Sequence, residues 1–306
     1  MLPCLVLTAG LGTRLRPLTD ILAKPALPVS GQPLVARILR SLAAQGITDA
    51  VLNLSHLPHT VTGAVGDGAE FGVRVRYSWE QPVLGSAGGP RHALPLLDAP
   101  RFVIVNGDTL TDVPIAEVIA AHERSGADVT MAVVPHPAPG RYGGVRVSED
   151  GRIEAFSGRT EASAAPLWHY IGVQVVESRV FADLPDNEPA ESVGGVYREL
   201  VTRGRVAAHR SDSRFRDIGR PGDYLDTAFA VARDEGHAAG VIAEAGAVVE
   251  PGAELDRVIL WAGSRVDAGA RLTNCIVAGG HVPAGTAAKD SCLVPAEGGP
   301  SIVGFP

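Results

Sequence analysis

Apolar positions along this chain switch between two periods. Residues 4–8 form an apolar run of strand type, residues 34–44 carry apolar positions at helical spacing, and a second strand-like run at 50–54 follows Gly46. That order predicts a β-α-β unit, parallel and right-handed. The alternation continues with strands at 73–78, 101–106 and 128–134 and a helix at 115–125. Residues 145–147 and 153–156 predict a hairpin across Glu149-Asp150-Gly151, and 170–173 a further strand. A helix at 195–203, a strand at 205–210 and a helix at 221–234 complete an α/β domain with a mostly parallel sheet over residues 1–237.

From residue 238 the pattern changes. Ala, Gly and Val dominate, and the segment repeats every 17 residues: Ile242, Ile259 and Ile276 coincide, as do Gly246, Gly263 and Gly280, Val249 with Val266, and Leu255 with Leu272. Within each repeat, Gly246 to Gly252 and Gly263 to Gly269 step by six. Pairs of inward aliphatics separated by glycine turns are the hexapeptide pattern of a short left-handed parallel β-helix, expected over residues 238–306 with a tail. Fewer than three full coils cannot bury their own ends, so packing on the first domain or in a homo-oligomer is expected.

The chain has 306 residues, enough for two domains, with 45% hydrophobic and 5% aromatic residues and 36 glycines. Its apolar runs fall short of the ~20 residues that span a membrane. No basic stretch precedes the short N-terminal apolar run, so a secretory signal is not expected. Cys4, Cys275 and Cys292 are too widely spaced for a disulfide framework or a metal cluster, and a cytoplasmic location follows as the default. A net charge of −7 argues against nucleic-acid binding. His56 and His59 flank Pro58 with no Cys or carboxylate beside them, which predicts a loop before a helix rather than a metal pair.

Against that acidic background the stretch 7–28, LTAGLGTRLRPLTDILAKPALP, stands out. Residues 1–40 hold five Lys or Arg against one acid, Asp20. A glycine turn between a strand and a helix lies at the usual ligand-binding edge of a parallel sheet. There Gly10 and Gly12 are expected to adopt backbone angles closed to other residues and to let a phosphate reach the main-chain N–H groups. Arg14, Arg16 and Lys24 add the charge a polyphosphate needs. The G-x-x-x-x-G-K-[ST] phosphate loop is absent, and the third glycine of a dinucleotide fingerprint is Leu15. Of 27 basic residues 25 are Arg, and Lys24 is one of two Lys, which suggests that a compact, mobile ammonium is required there.

The string G-L-G-T-R with Lys24-Pro25 ten residues on resembles the signature of the sugar-1-phosphate nucleotidyltransferases, also called NDP-sugar pyrophosphorylases, and especially their mannose-1-phosphate guanylyltransferase branch. The resemblance implies a Rossmann-like nucleotidyltransferase domain in which Ala9, Gly10, Gly12 and Thr13 hold a nucleoside triphosphate. Arg14 would hold the leaving pyrophosphate, and Lys24 the α-phosphate or sugar phosphate. Residues 79–89, WEQPVLGSAGG, resemble the segment that closes over the base, which places Gly85 and Gly88 at the nucleotide. Glu80 is a possible base reader, since a carboxylate accepts from both N–H groups of guanine; a solvated Glu is the alternative. Asn106-Gly107-Asp108 and Phe215-Arg216-Asp217-Ile218-Gly219-Arg220-Pro221 resemble the two metal motifs, which makes Asp108 and Asp217 the implied Mg²⁺ ligands.

Gly143, in Tyr142-Gly143-Gly144, and Gly172, in Tyr170-Ile171-Gly172, resemble the sugar-contacting positions. Where the family has Glu-Lys-Pro this chain has Ser157-Gly158-Arg159-Thr160, so Arg159 is the candidate for holding the sugar phosphate. The implied reaction is nucleotidyl transfer to a sugar 1-phosphate, with GTP and mannose 1-phosphate as the favoured pair. A uridylyltransferase acting on an amino sugar such as N-acetylmuramate 1-phosphate is the runner-up, because residues 71–97 also resemble that branch. The lost Glu-Lys-Pro keeps open a non-catalytic sugar-nucleotide sensor, and the coil repeat an acyltransferase with His281 as base.

Overall fold

The computed structural model describes residues 2–138, 140–158, 166–237 and 240–306. They form two compact units. The first comprises residues 1–10, 38–58 and 65–216, the second residues 11–37, 59–64 and 217–306. The chain therefore passes between units after Gly10, Arg37, Pro58, Ala64 and Arg216. This division differs from a single cut at 237/238, because the glycine-loop segment clusters with the C-terminal residues.

The first unit is built on a nine-stranded sheet. Its parallel block runs Arg101–Asn106, Cys4–Leu7, Asp49–Leu54, Arg74–Trp79, with Cys4 opposite both Val103 and Ala50. Against Arg101–Asn106 lies the ten-residue strand Trp168–Glu177, antiparallel, with Val173 opposite Val105. Val129–Pro135 pairs antiparallel with that strand and parallel with Val206–Arg210. The expected hairpin forms from Gly144–Val147 and Ile153–Ser157. Seven of the nine strands thus run in one direction, and only Trp168–Glu177 and Ile153–Ser157 run against them, which leaves the sheet mostly parallel in direction with antiparallel pairings around these two strands. Gly172, at φ +83°, sits in the register shift between Tyr170 and Gln174 where this strand bends.

Alternate residues of the parallel strands, Leu5, Val51, Phe102 and Ile104, are fully buried with Ala87, Ala93 and Leu97 of the helix Gly85–Leu97, and with Phe181 and Tyr197. A two-residue period on the strands thus meets a helical stripe, and this builds one layer of the core. The helix Ile115–Ser125 has the bounds read from its periodicity. The expected helix at 195–203 is a π turn, Ser192–Val196, running into the helix Tyr197–Thr202.

In the second unit the helix Pro221–Asp234 starts with proline at its first position, where the missing N–H costs nothing. Beyond it, parallel strands recur in two sheets. One orders Val241–Ala243, Glu254–Leu260, Arg271–Val277 and Ala287–Ala296; the other orders Val248–Val249, Ser264–Val266 and Gly280–Val282. Ile242 pairs with Ile259 and Ile259 with Ile276, as the 17-residue repeat requires. The next step is 16: Ile276 pairs with Cys292, and Gly280 lies opposite Ser264 rather than Gly263. Val258, Leu260, Val266, Leu272, Val277, Val282 and Leu293 fill the interior of the stack. At the same point of successive coils, Arg257, Asn274 and Asp290 hold positive φ, and Asn274 Nδ2 donates to Asp290 Oδ1 at 2.9 Å. The expected tail is a strand, Gly299–Gly304, that closes the larger sheet antiparallel to Ala287–Ala296.

Candidate active site

The C-terminal ends of the first unit's parallel strands carry a connected polar network. The Thr8 N–H donates to Asn53 Oδ1 at 2.6 Å, and the Thr8 hydroxyl donates to the Asn53 carbonyl. Asn53 Nδ2 donates to Glu80 Oε1 at 2.7 Å, and the Leu84 N–H donates to Glu80 Oε2 at 2.8 Å. Three strand ends and the start of the helix Gly85–Leu97 are thereby tied together. Glu80 is 4% exposed with both oxygens engaged, so it is neither solvated nor presented to a base. A buried carboxylate holds its partners at a large cost if any is lost, and this makes Glu80 a residue that sets the shape of the edge.

The glycines along this edge separate into those the fold requires and those it does not. A Cβ on Gly107 would lie 2.4 Å from the Leu7 carbonyl oxygen, one on Gly88 2.5 Å from the Glu188 carbonyl oxygen, and one on Gly85 2.7 Å from that of Ala190. A Cβ on Gly172 would lie 3.0 Å from Asn106 Cβ. Packing therefore accounts for glycine at 85, 88, 107 and 172. At Gly10 nothing lies within 4 Å of such a Cβ, and its φ is not positive, contrary to the expectation for this residue. Gly10 leaves its main chain open to approach from outside.

Asp108 follows the strand Arg101–Asn106, half-buried, with the Thr109 hydroxyl donating to its Oδ1 at 3.2 Å. Thr109–Thr111 then pairs with the strand that carries Phe215 and Arg216. Near Asp108 stands Tyr170, whose Oη is buried with no hydrogen-bond partner among the described residues. Burial, with Tyr197 and Asp108 nearby, raises this phenol well above the usual range. Tyr142, His169 and Phe215 form an aromatic cluster, with His169 4.5 Å from Tyr142 and 5.0 Å from Phe215 between ring centres. His169 Nδ1 lies 3.3 Å from the carbonyl of Gly143, and burial lowers its pKa, which favours the neutral ring. The motifs around Gly143 and Phe215 are therefore neighbours in space. Arg159 lies outside the described residues.

In the second unit Gly12 takes φ +62° and opens the 3₁₀ turn Thr13–Leu15. Its carbonyl accepts from the Leu15 N–H at 2.8 Å and from the Thr19 hydroxyl at 2.9 Å. A Cβ there would strike Thr19 Cγ2 at 2.7 Å, so both the angle and the packing demand glycine. Arg14, from this turn, meets the segment before the helix Pro221–Asp234. A Cβ on Gly219 would lie 3.1 Å from Asp223 Oδ2, 3.3 Å from Asp217 Oδ2 and 3.5 Å from Arg14 Nη1. Two carboxylates and a guanidinium thus crowd the position that a side chain at 219 would take. Asp223 and Asn53 were not read from the sequence. Asp223 looked like an ordinary first-turn acid of a helix, and Asn53 an interior position of a strand.

Asp217 and Asp223 beside Gly219 are carboxylates of the kind Mg²⁺ takes, and no group of three or more His, Cys, Asp or Glu is gathered among the described residues. This ion takes one or two protein carboxylates and completes its shell with phosphate oxygens and water. No helix among the described residues is long and apolar enough to cross a membrane.

Comparison with known proteins bears on family and fold. The family model described as nucleotidyl transferase matches residues 4–234. A mannose-1-phosphate guanylyltransferase of Mycobacterium tuberculosis is 32% identical over 222 residues, covering 72% of this chain and 62% of that protein. An N-acetylmuramate alpha-1-phosphate uridylyltransferase of Neisseria meningitidis is 31% identical over 226 residues, covering 70% of this chain and 92% of that protein. This chain therefore spans less than two thirds of the guanylyltransferase. Among solved structures, HddC from Yersinia pseudotuberculosis superposes with a TM-score of 0.67 at 22% identity, covering 76% of this chain and 100% of that one, which shows a shared fold. With the motifs, the strand-end network and a match that runs from residue 4 to residue 234, the chain belongs to the nucleotidyl transferase family.

Proposed function

We propose that the protein transfers a nucleotidyl group from GTP to mannose 1-phosphate, releasing pyrophosphate. The observation that carries the reading is the convergence of Arg14, Asp217 and Asp223 around Gly219, in a unit whose loop also presents Lys24. A sugar-phosphate oxygen would attack the α-phosphorus in line, forming one P–O bond as the bond to the pyrophosphate oxygen breaks. The attacking phosphate is already an anion, so no proton need move, and the protein's work is orientation and charge neutralisation. Arg14 would neutralise the departing pyrophosphate, and Lys24 the α-phosphate or the sugar phosphate. Gly10, which the fold leaves open, would admit the triphosphate to the main chain. In this reading Asp108 and Asp217 are the Mg²⁺ ligands, with Asp223 beside Asp217; the bound ion would stabilise charge on the phosphate oxygens.

Several relatives named as mannose-1-phosphate guanyltransferases support the choice of substrates. A second reading, UTP with an amino-sugar 1-phosphate, is favoured by the near-complete coverage of the N-acetylmuramate relative. The C-terminal stack is read as a left-handed β-helix from its parallel pairing at 17- and 16-residue steps, and the protein as a cytoplasmic homo-oligomer. The test is pyrophosphate release with Mg²⁺, crossing GTP, UTP, dTTP and ATP with mannose, glucose, N-acetylglucosamine and N-acetylmuramate 1-phosphates. Turnover confined to GTP and mannose 1-phosphate is the expected result. Turnover confined to UTP would replace it with the second reading, and binding without turnover would leave a sensor.

A further inference from the structure

The segment that follows Lys24 is held by residues far away in sequence. The Pro28 carbonyl accepts from Tyr224 Oη, and that oxygen accepts from Trp261 Nε1 at 3.0 Å. Tyr224 is fully buried, and Trp261 is 5% exposed in the second coil of the C-terminal stack. Three residues on, the Gly31 N–H donates to Glu244 Oε1 at 3.0 Å. Arg37 ties the same turn from inside, donating to the carbonyls of Val29 and Ser30 at 2.7 Å each and pairing with Glu235 at 2.5 Å. On the other side of the lysine, the Ala23 N–H donates to Thr60 Oγ1 at 3.1 Å. All of these residues belong to the second unit.

The turn 28–33 has little structure of its own, since its two strands are two residues each. Its position is therefore set by these contacts, one of which comes directly from beyond residue 240 and another through Tyr224. We propose that Trp261, Tyr224 and Glu244 are positioning residues for the Lys24 loop. The C-terminal stack would then be a working part of the substrate-binding apparatus, with its first two coils fixing where Lys24 stands. The catalytic side of this inference rests on the transfer reaction proposed above; the positioning itself does not.

Lys24 and Lys289 are the only lysines in the chain, which supplies a direct measurement. Lys24 is half-buried and Lys289 exposed. Labelling with an amine-reactive acylating reagent, quantified for each lysine by peptide mass spectrometry, gives a Lys24-to-Lys289 ratio that needs no activity. Tyr224→Phe removes both the bond to Pro28 and the acceptor of the Trp261 bond; Trp261→Phe keeps an aromatic ring and loses the indole N–H; Glu244→Ala removes the Gly31 contact at a half-buried side chain. Losing one such bond should raise the ratio roughly two- to tenfold. In the transfer reaction the same variants should raise KM for the triphosphate more than they lower kcat. An unchanged ratio in folded Tyr224→Phe and Glu244→Ala proteins overturns the proposal, as does loss of activity with no change in labelling. Absence of turnover in the unmodified protein would overturn the reaction alone, and a raised ratio would still support the positioning.

Discussion

Lys24 stands among 25 arginines and one other lysine, so its replacement by Arg isolates shape from charge. A guanidinium is a rigid planar fork, whereas an ammonium on a flexible stem can follow phosphate oxygens as they move. Lys24→Arg should cut kcat at least tenfold with the thermal midpoint nearly unchanged; full activity in a pyrophosphate-release assay would refute the requirement. Asp223→Asn removes one of the two carboxylates at Gly219 while keeping its size. A drop in turnover of about tenfold or more, with the dependence on Mg²⁺ shifted to higher concentration, is the expected outcome, and an unaltered Mg²⁺ titration would remove Asp223 from the site. Asp108→Asn should lower turnover by orders of magnitude in a protein whose circular dichroism is unchanged. The sequence already offers Asp108, Asp217 and Lys24 as candidates, because each sits inside a string of several constrained positions. Asp223 was not, since an acid in the first turn of a helix is ordinary.

At the scale of elements, the helix Gly85–Leu97 depends on Gly89 for its seat on the polar network. A Cβ there would lie 2.6 Å from Glu80 Oε1 and 2.9 Å from Asn53 Nδ2, atoms that are hydrogen-bonded and unable to swing away. Alanine in a helix interior normally gains about 0.5–1 kcal/mol over glycine, but overpacking of this kind costs about 1–3 kcal/mol. Gly89→Ala should therefore lower the urea midpoint, and a raised midpoint would show that the network can yield. Most strands and helices of the first unit were legible because period-2 and helical spacing report directly which positions are buried. The order of the strands was not. Nothing local marks Trp168–Glu177 as the antiparallel strand inserted beside Arg101–Asn106, because its pairing is decided by partners more than 60 residues away. The sixteen-residue step in the C-terminal stack was hidden for a simpler reason: Gly279 and Gly280 are adjacent, and either satisfies the repeat by eye.

For the molecule as a whole, ion pairs at the edge of the sheet away from the strand-end network tie the first unit together. Asp128 accepts from Arg179 and Arg205, both at 2.6 Å, and Glu177 joins Arg101 to the buried His122. The hydrogen bond from Arg205, ahead of that from Arg179, holds the Asp128 carboxyl at about 2, below its ordinary 3.8. A depressed value in the folded state means that the stabilisation is complete above about pH 4 and is lost as pH falls toward 2. It amounts to about 2 kcal/mol. Urea unfolding at pH 6 and pH 3 should show a smaller loss of stability for Asp128→Asn than for the unmodified protein; equal losses would remove this pair from the acid response. That the glycine-loop segment belongs with the C-terminal residues was equally invisible in the sequence, since the contact from Tyr224 to Pro28 bridges 196 positions.

The strand Gly299–Gly304 runs against the direction of the four parallel strands before it. Its reversal makes the stack a ladder with one finished end. A further coil laid beyond it would meet a rail of the wrong polarity, so the ladder can lengthen only by inserting whole rungs of 16 or 17 residues between existing ones. Such an insertion, placed after the second coil, keeps every aliphatic facing inward and leaves both the first two coils, with their grip on the loop, and the last strand as they are. Length in this part of the protein is thus free to vary while its two ends keep their partners.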